Sequence, residues 1–61
     1  MISVGDLVLD EYGERGIVSS VNEESYYVEV AFYGGVYGTV TCQVHKRFLT
    51  LISKARKIGT T

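Results

Sequence analysis

An all-β fold is what this 61-residue sequence predicts, and two features of its pattern carry the prediction. Valine, tyrosine, threonine and isoleucine alternate with polar residues in short runs, and glycines or a Glu-Glu-Ser cluster separate those runs. The length allows one domain and leaves no room for a separate catalytic one.

The strands follow in order. Residues 7–10 form a first short strand and residues 12–16, with Gly13 and Gly16, a loop. Residues 17–21 form a second strand, residues 22–25 a polar turn, and residues 26–32 the best-defined strand of the set. A turn centred on Glu23-Glu24 sets Val21 against Tyr26, Ser19 against Val28 and Ile17 against Val30, which extends one apolar face across both strands.

Two registers compete at the next hairpin. A two-residue loop at Gly34-Gly35 sets Val30 against Thr39 and Val28 against Thr41, leaving Val40 and Cys42 on the other face. A loop over residues 33–35 sets Phe32 against Val36, Val28 against Val40 and Tyr26 against Cys42, so one face is almost wholly apolar. A one-residue slip inverts every side chain, so burial selects the second register. Gly35 is free to supply the left-handed residue such loops commonly need. After Val44 the alternation breaks at residues 45–47, which suit a single 3₁₀ turn, and residues 48–52 form a last strand. Residues 1–52 are thus the domain, and residues 53–61 a polar, basic C-terminal tail. The expected core is Val4, Val8, Ile17, Val21, Val28, Val30, Phe32, Val40, Cys42 and Leu49.

Composition narrows the function classes. A chain near 60 residues buries only about 60% of the surface its unfolded form exposes, and such domains usually need a disulfide, a metal or a partner chain. The single cysteine, Cys42, makes no internal disulfide and fits a reducing compartment. No apolar run spans a bilayer and no leader pattern opens the chain, so a cytoplasmic protein without membrane contact is expected. Net charge is −1, but residues 1–30 hold all seven acids and one base, while residues 31–61 hold five bases and no acid.

Gly5-Asp6-Leu7-Val8, then Gly13 and the run Gly16-Ile17-Val18-Ser19-Ser20-Val21, resemble the opening of KOW and Tudor-like domains. Phe48-Leu49-Thr50-Leu51-Ile52 resembles the strand that completes such barrels. The resemblance covers residues 4–52 and implies a five-stranded SH3-like small barrel with a 3₁₀ turn before its last strand.

Chemical motifs are sparse. Cys42 and His45 lie three apart on a strand, hence on opposite faces, and no second Cys or His completes a zinc set, so a buried cysteine and a surface histidine are expected. Asp10, Glu11 and Glu14 lack EF-hand spacing and read as a solvated loop. No phosphate-cradling loop or nucleophile–base pair is present, so no catalytic residue, metal, cofactor or small-molecule substrate is expected.

Three functions fit this sequence. The first is a non-enzymatic interaction module acting through protein contact or self-association. Its surface would use Leu7 and Leu9, which fall opposite Val8, together with Tyr12, Tyr27, Tyr33 and Tyr37, whose rings offer stacking and cation–π attraction. The second is a KOW-like nucleic-acid binder using Lys46, Arg47, Lys54, Arg56 and Lys57, against which stand a pI near 5.6 and an acidic first half. The third is an enzyme similar to the type II dihydrofolate reductases, short SH3-like chains that build one active site at the centre of a tetramer. Their Val-Gln-Ile-Tyr run is replaced here by Thr41-Cys42-Gln43-Val44.

Overall fold

The computed structural model describes residues 1–34, 36 and 38–55. Five strands form one antiparallel sheet: β1 (Leu7–Leu9), β2 (Arg15–Val21), β3 (Tyr27–Tyr33), β4 (Thr39–His45) and β5 (Thr50–Ser53). Their order across the sheet is β4-β3-β2-β1-β5. A 3₁₀ turn, Lys46–Phe48, joins β4 to β5, and the described residues contain no α-helix. The sheet is not closed into a barrel, because β4 and β5 remain its two edges. No helix among the described residues is long and apolar enough to cross a membrane.

The β3–β4 hairpin keeps the expected faces but not the expected register. Val28 lies opposite Val44, Val30 opposite Cys42 and Phe32 opposite Val40. The loop therefore runs over residues 34–38 instead of 33–35, with Gly38 at φ 75° and the Gly34 N–H donating to the Gly38 carbonyl at 3.2 Å. Burial selects only between odd and even shifts, since any even shift returns the same residues to the same face. Turn length then decides, with Gly38 in the left-handed region; Gly35, expected to supply that residue, lies outside the described residues.

A bulge corrects the β2–β3 pairing. Val18 pairs with Val30, yet Ser20 pairs with Glu29 and Val21 with Val28, so Ser19 is the extra residue. Its hydroxyl donates to the Glu29 side chain at 2.8 Å. The bulge brings Val18 and Val21, three residues apart, to the same side of the sheet. Ile17, expected in the core, instead pairs with Ala31 on the opposite face and is half-buried.

The core is thin. Val8, Val18, Val28 and Val30 are buried, with Ile2, Val21, Phe32, Val44 and Leu49 packed around them. Gly16 is required beneath them, because a Cβ there would collide with Val30 Cγ1 and press on the Phe32 ring. Three expected core residues lie outside: Val4 is 57% exposed, Val40 48%, and Cys42 is exposed. Val4 precedes the first strand, and the outer positions of an edge strand have no second layer above them. The 3₁₀ turn also sits one residue later than expected, which removes Phe48 from the last strand.

One buried polar residue ties the chain ends together. Asp6 is fully buried, and its carboxylate accepts hydrogen bonds from the Ser3 N–H (2.8 Å), the Ala55 N–H (2.7 Å) and Lys54 Nζ (2.9 Å). Lys54 Nζ also donates to the Met1 carbonyl and the Ser3 hydroxyl. The Ala55 N–H, then the Lys54 ammonium, outweigh burial and hold the Asp6 carboxyl at about 2, below its usual 3.8. Gly5 makes the corner possible, with φ 92° and no room for a Cβ against Ala55. Strand β5 runs to Ser53, and these ties reach Lys54 and Ala55.

Candidate functional site

A recess lies between the β1–β2 loop, the end of β4 and the 3₁₀ turn. It has a volume of about 540 Å³ and is bordered by residues 10–12, residues 42–45, Arg47 and Phe48, with Tyr27 and Phe32 contributed by β3.

Asp10 shapes the loop that forms one wall. Its Oδ1 accepts the Tyr12 N–H at 2.9 Å and the Glu14 N–H at 2.8 Å, while its carbonyl accepts the Gly13 N–H. Gly13, at φ 81°, completes this side-chain-capped turn. Asp10 is therefore structural, whereas Glu11 remains exposed beside the recess. The turn lifts Tyr12 into solvent, 83% exposed, at the rim.

The opposite wall is aromatic. His45 is not a free surface histidine: it is half-buried, and its Nδ1 accepts the Arg47 N–H at 3.1 Å to cap the 3₁₀ turn. Tyr26 stacks parallel on its ring at 5.7 Å, while Tyr27 and Phe48 meet it edge to face at 5.2 and 6.0 Å. The Arg47 guanidinium lies over the Phe48 ring at 5.7 Å. Phe48 is 45% exposed, so the cluster presents ring surface that the fold itself leaves uncovered. The arrangement offers π faces, a carboxylate on one side and a guanidinium on the other. Such groups can stack on apolar side chains and attract charged ones.

The residues expected at a partner surface occupy separate places. Tyr12 and Tyr27 meet at this recess. Tyr33 stands at the far end of β3, opposite Thr39, and Tyr37 lies outside the described residues. Leu7 and Leu9 face away from the core, as expected, but are half-buried. Leu7 aligns across the sheet with Ile17 and Ala31 in one apolar row. Sequence reasoning missed His45, Phe48 and Tyr26. The pairing of Tyr27 with His45 was hidden by the hairpin register, although the adjacency of His45 and Phe48 to a 3₁₀ break was visible.

The basic residues do not gather. Arg47 shares the recess with Asp10 and Glu11, and Lys54 is bonded to Asp6. Lys46 borders a second recess of about 600 Å³ with Glu23, beside Ile2 and Val21. Arg56 and Lys57 lie outside the described residues. Among the described residues, Lys46, Arg47 and Lys54 thus each lie beside an acid. Among the described residues, no three His, Cys, Asp or Glu side chains stand together as a metal site.

No protein-family model, curated protein or solved structure matches this chain.

Proposed function

We propose that this chain is a non-enzymatic interaction module of the SH3-like class, binding an extended segment of a protein partner in the recess between the β1–β2 loop and the 3₁₀ turn. The observation that carries the reading is the group of aromatic rings that line an open recess, exposed Tyr12, Tyr27 and Phe48 with half-buried His45 between the last two, with Glu11 and Arg47 at its sides. The SH3-like assignment is supported by the strand order β4-β3-β2-β1-β5, with the last strand antiparallel to the first and a 3₁₀ turn before it. The ligand suited to this recess carries an apolar side chain for the rings and a cation for Glu11, with ring faces adding cation–π attraction.

Among the described residues, the acids beside Lys46, Arg47 and Lys54 favour this reading over a nucleic-acid interface, which needs a continuous basic footprint. Titration with short synthetic peptides, arginine-apolar and glutamate-apolar in composition, followed by amide and ring chemical shifts, tests it. The arginine-apolar peptide moves the resonances of Tyr12, Tyr27, His45 and Phe48 and leaves Tyr33 in place, and Phe48→Ala abolishes the response. A response confined to Tyr33 or to the Leu7–Ile17 row, or preferential binding of a single-stranded oligonucleotide, sinks it.

A further inference from the structure

We infer that the free edge of β4 pairs with β4 of a second copy, joining two sheets into one across a two-fold axis at Cys42.

The hydrogen-bond phase of β4 establishes which groups are free. The Lys46 N–H donates to the Tyr26 carbonyl at 2.8 Å and the Gly34 N–H to the Gly38 carbonyl at 3.2 Å, at the two ends of one continuous β3–β4 register. Hydrogen-bonded pairs alternate along an antiparallel ladder, so Val40, Cys42 and Val44 direct their backbone groups into β3. Thr39, Thr41, Gln43 and His45 then direct theirs outward, along the side of β4 that pairs with no other strand among the described residues. Unpaired edges normally carry a device that discourages pairing: a charge, a proline, a bulge or short length. Strand β4 has none of these. It is seven residues long, without register shift, without proline and without an acidic, lysine or arginine side chain. The other edge differs: β5 has four residues, its pairing with β1 is irregular, and Lys54 follows it.

The edge is also complementary to itself. Full antiparallel overlap of Thr39–His45 with its own copy centres on Cys42 and needs no slip. Thr41 then exchanges hydrogen bonds with Gln43 of the second copy, and Thr39 with His45. Val40 lies against Val44, and Cys42 against Cys42, so exposed apolar side chains meet apolar ones on one face. No like charges are brought together within the paired strands. A sheet whose core rests on four fully buried valines gains apolar burial from such a partner.

The geometry makes the axis measurable. Cys42 and its copy form a non-hydrogen-bonded pair, whose Cα atoms stand about 4.5 Å apart, within disulfide range. Position 39 and its copy stand six residues apart along the ladder, about 20 Å. The experiment measures mass by sedimentation over a range of concentrations, and thiol cross-linking by copper-phenanthroline for the wild-type chain and for Thr39→Cys in a Cys42→Ser background. The expected result is a dimer that dissociates on dilution, rapid cross-linking through Cys42 and little through position 39. Thr41→Pro, which removes an outward N–H but no β3–β4 bond, yields a folded monomer by circular dichroism. A chain monomeric at every concentration overturns the inference, as does a dimer that cross-links equally well through position 39. If Thr41→Pro does not fold, the cysteine comparison alone decides. The inference is independent of the recess reading, since cross-linking is measured without peptide.

Discussion

The two ends of the sheet are built on opposite terms. At the β1–β5 end, the Asp6 carboxylate gathers the Ser3 and Ala55 N–H groups and the Lys54 ammonium, and no buried side-chain polar atom lacks a partner among the described residues. At the β4 end, among the described residues, one whole strand has free backbone groups on its outer side, and Val40, Cys42 and Phe48 are partly or wholly exposed. The tied end holds the fold together, and the open end is the one to which we assign recognition. In so small a domain the two cannot overlap, because a buried carboxylate deprived of its donors is costly while an exposed ring deprived of its ligand is not.

The largest effect expected from breaking this division is at Asp6. Asp6→Ala leaves the Ser3 and Ala55 N–H groups and Lys54 without their acceptor, and thermal unfolding followed by circular dichroism drops further than for any other single change named here. Asp6→Asn, which keeps one acceptor oxygen, falls between this variant and the wild type.

Gly16→Ala comes next. The added methyl meets Val30 Cγ1 and the Phe32 ring, with an expected cost of about 1–3 kcal/mol. For a domain of this size that lowers the melting temperature by roughly 4–8 °C per kcal/mol.

Acid titrates the same corner. The Asp6 carboxyl ionises at about 2 when folded and near its usual 3.8 when unfolded, so its contribution is complete above the higher value. It is lost as pH falls from about 4 towards 2, because the unfolded chain then binds the proton first. Urea midpoints measured across this window fall with pH in the wild type. Lys54→Met, which raises the folded value by removing one donor, flattens that dependence; the residual slope comes from the Ala55 and Ser3 N–H groups.

The smallest stability effect is at the open end. Phe48→Ala costs under about 1 kcal/mol, since the ring is largely outside the core, yet it abolishes the peptide response. A loss of stability comparable to Gly16→Ala would place Phe48 among the residues that hold the fold.

How much of this was legible in the sequence follows from the range of each interaction. Alternation placed Val8, Val28 and Val30 inside, and the strand count and the 3₁₀ break near residue 46 followed from local pattern. The Ser19 bulge was not legible, because Ser19-Ser20 fits a regular strand as well as a bulged one. Hairpin parity was readable from burial, but the loop over residues 34–38 required choosing among several glycines. Val40 and Cys42 were assigned to the core because alternation identifies a face and cannot say whether another layer covers it. The Asp6 corner was the least visible: Gly5-Asp6 suggested a turn, while the donors that explain the carboxylate lie 48 and 49 residues away. The cleft residues His45 and Phe48 became apparent only once the register placed Tyr27 beside them.

Amide hydrogen exchange, followed residue by residue at two protein concentrations, tests the division between the ends most directly. The account predicts slow exchange at Val18 and Ala55 at both concentrations. At Thr41 and Gln43 it predicts exchange that is fast in dilute protein and slows as concentration rises. Rapid exchange at Ala55 at either concentration, or exchange at Thr41 and Gln43 that ignores concentration, would contradict it.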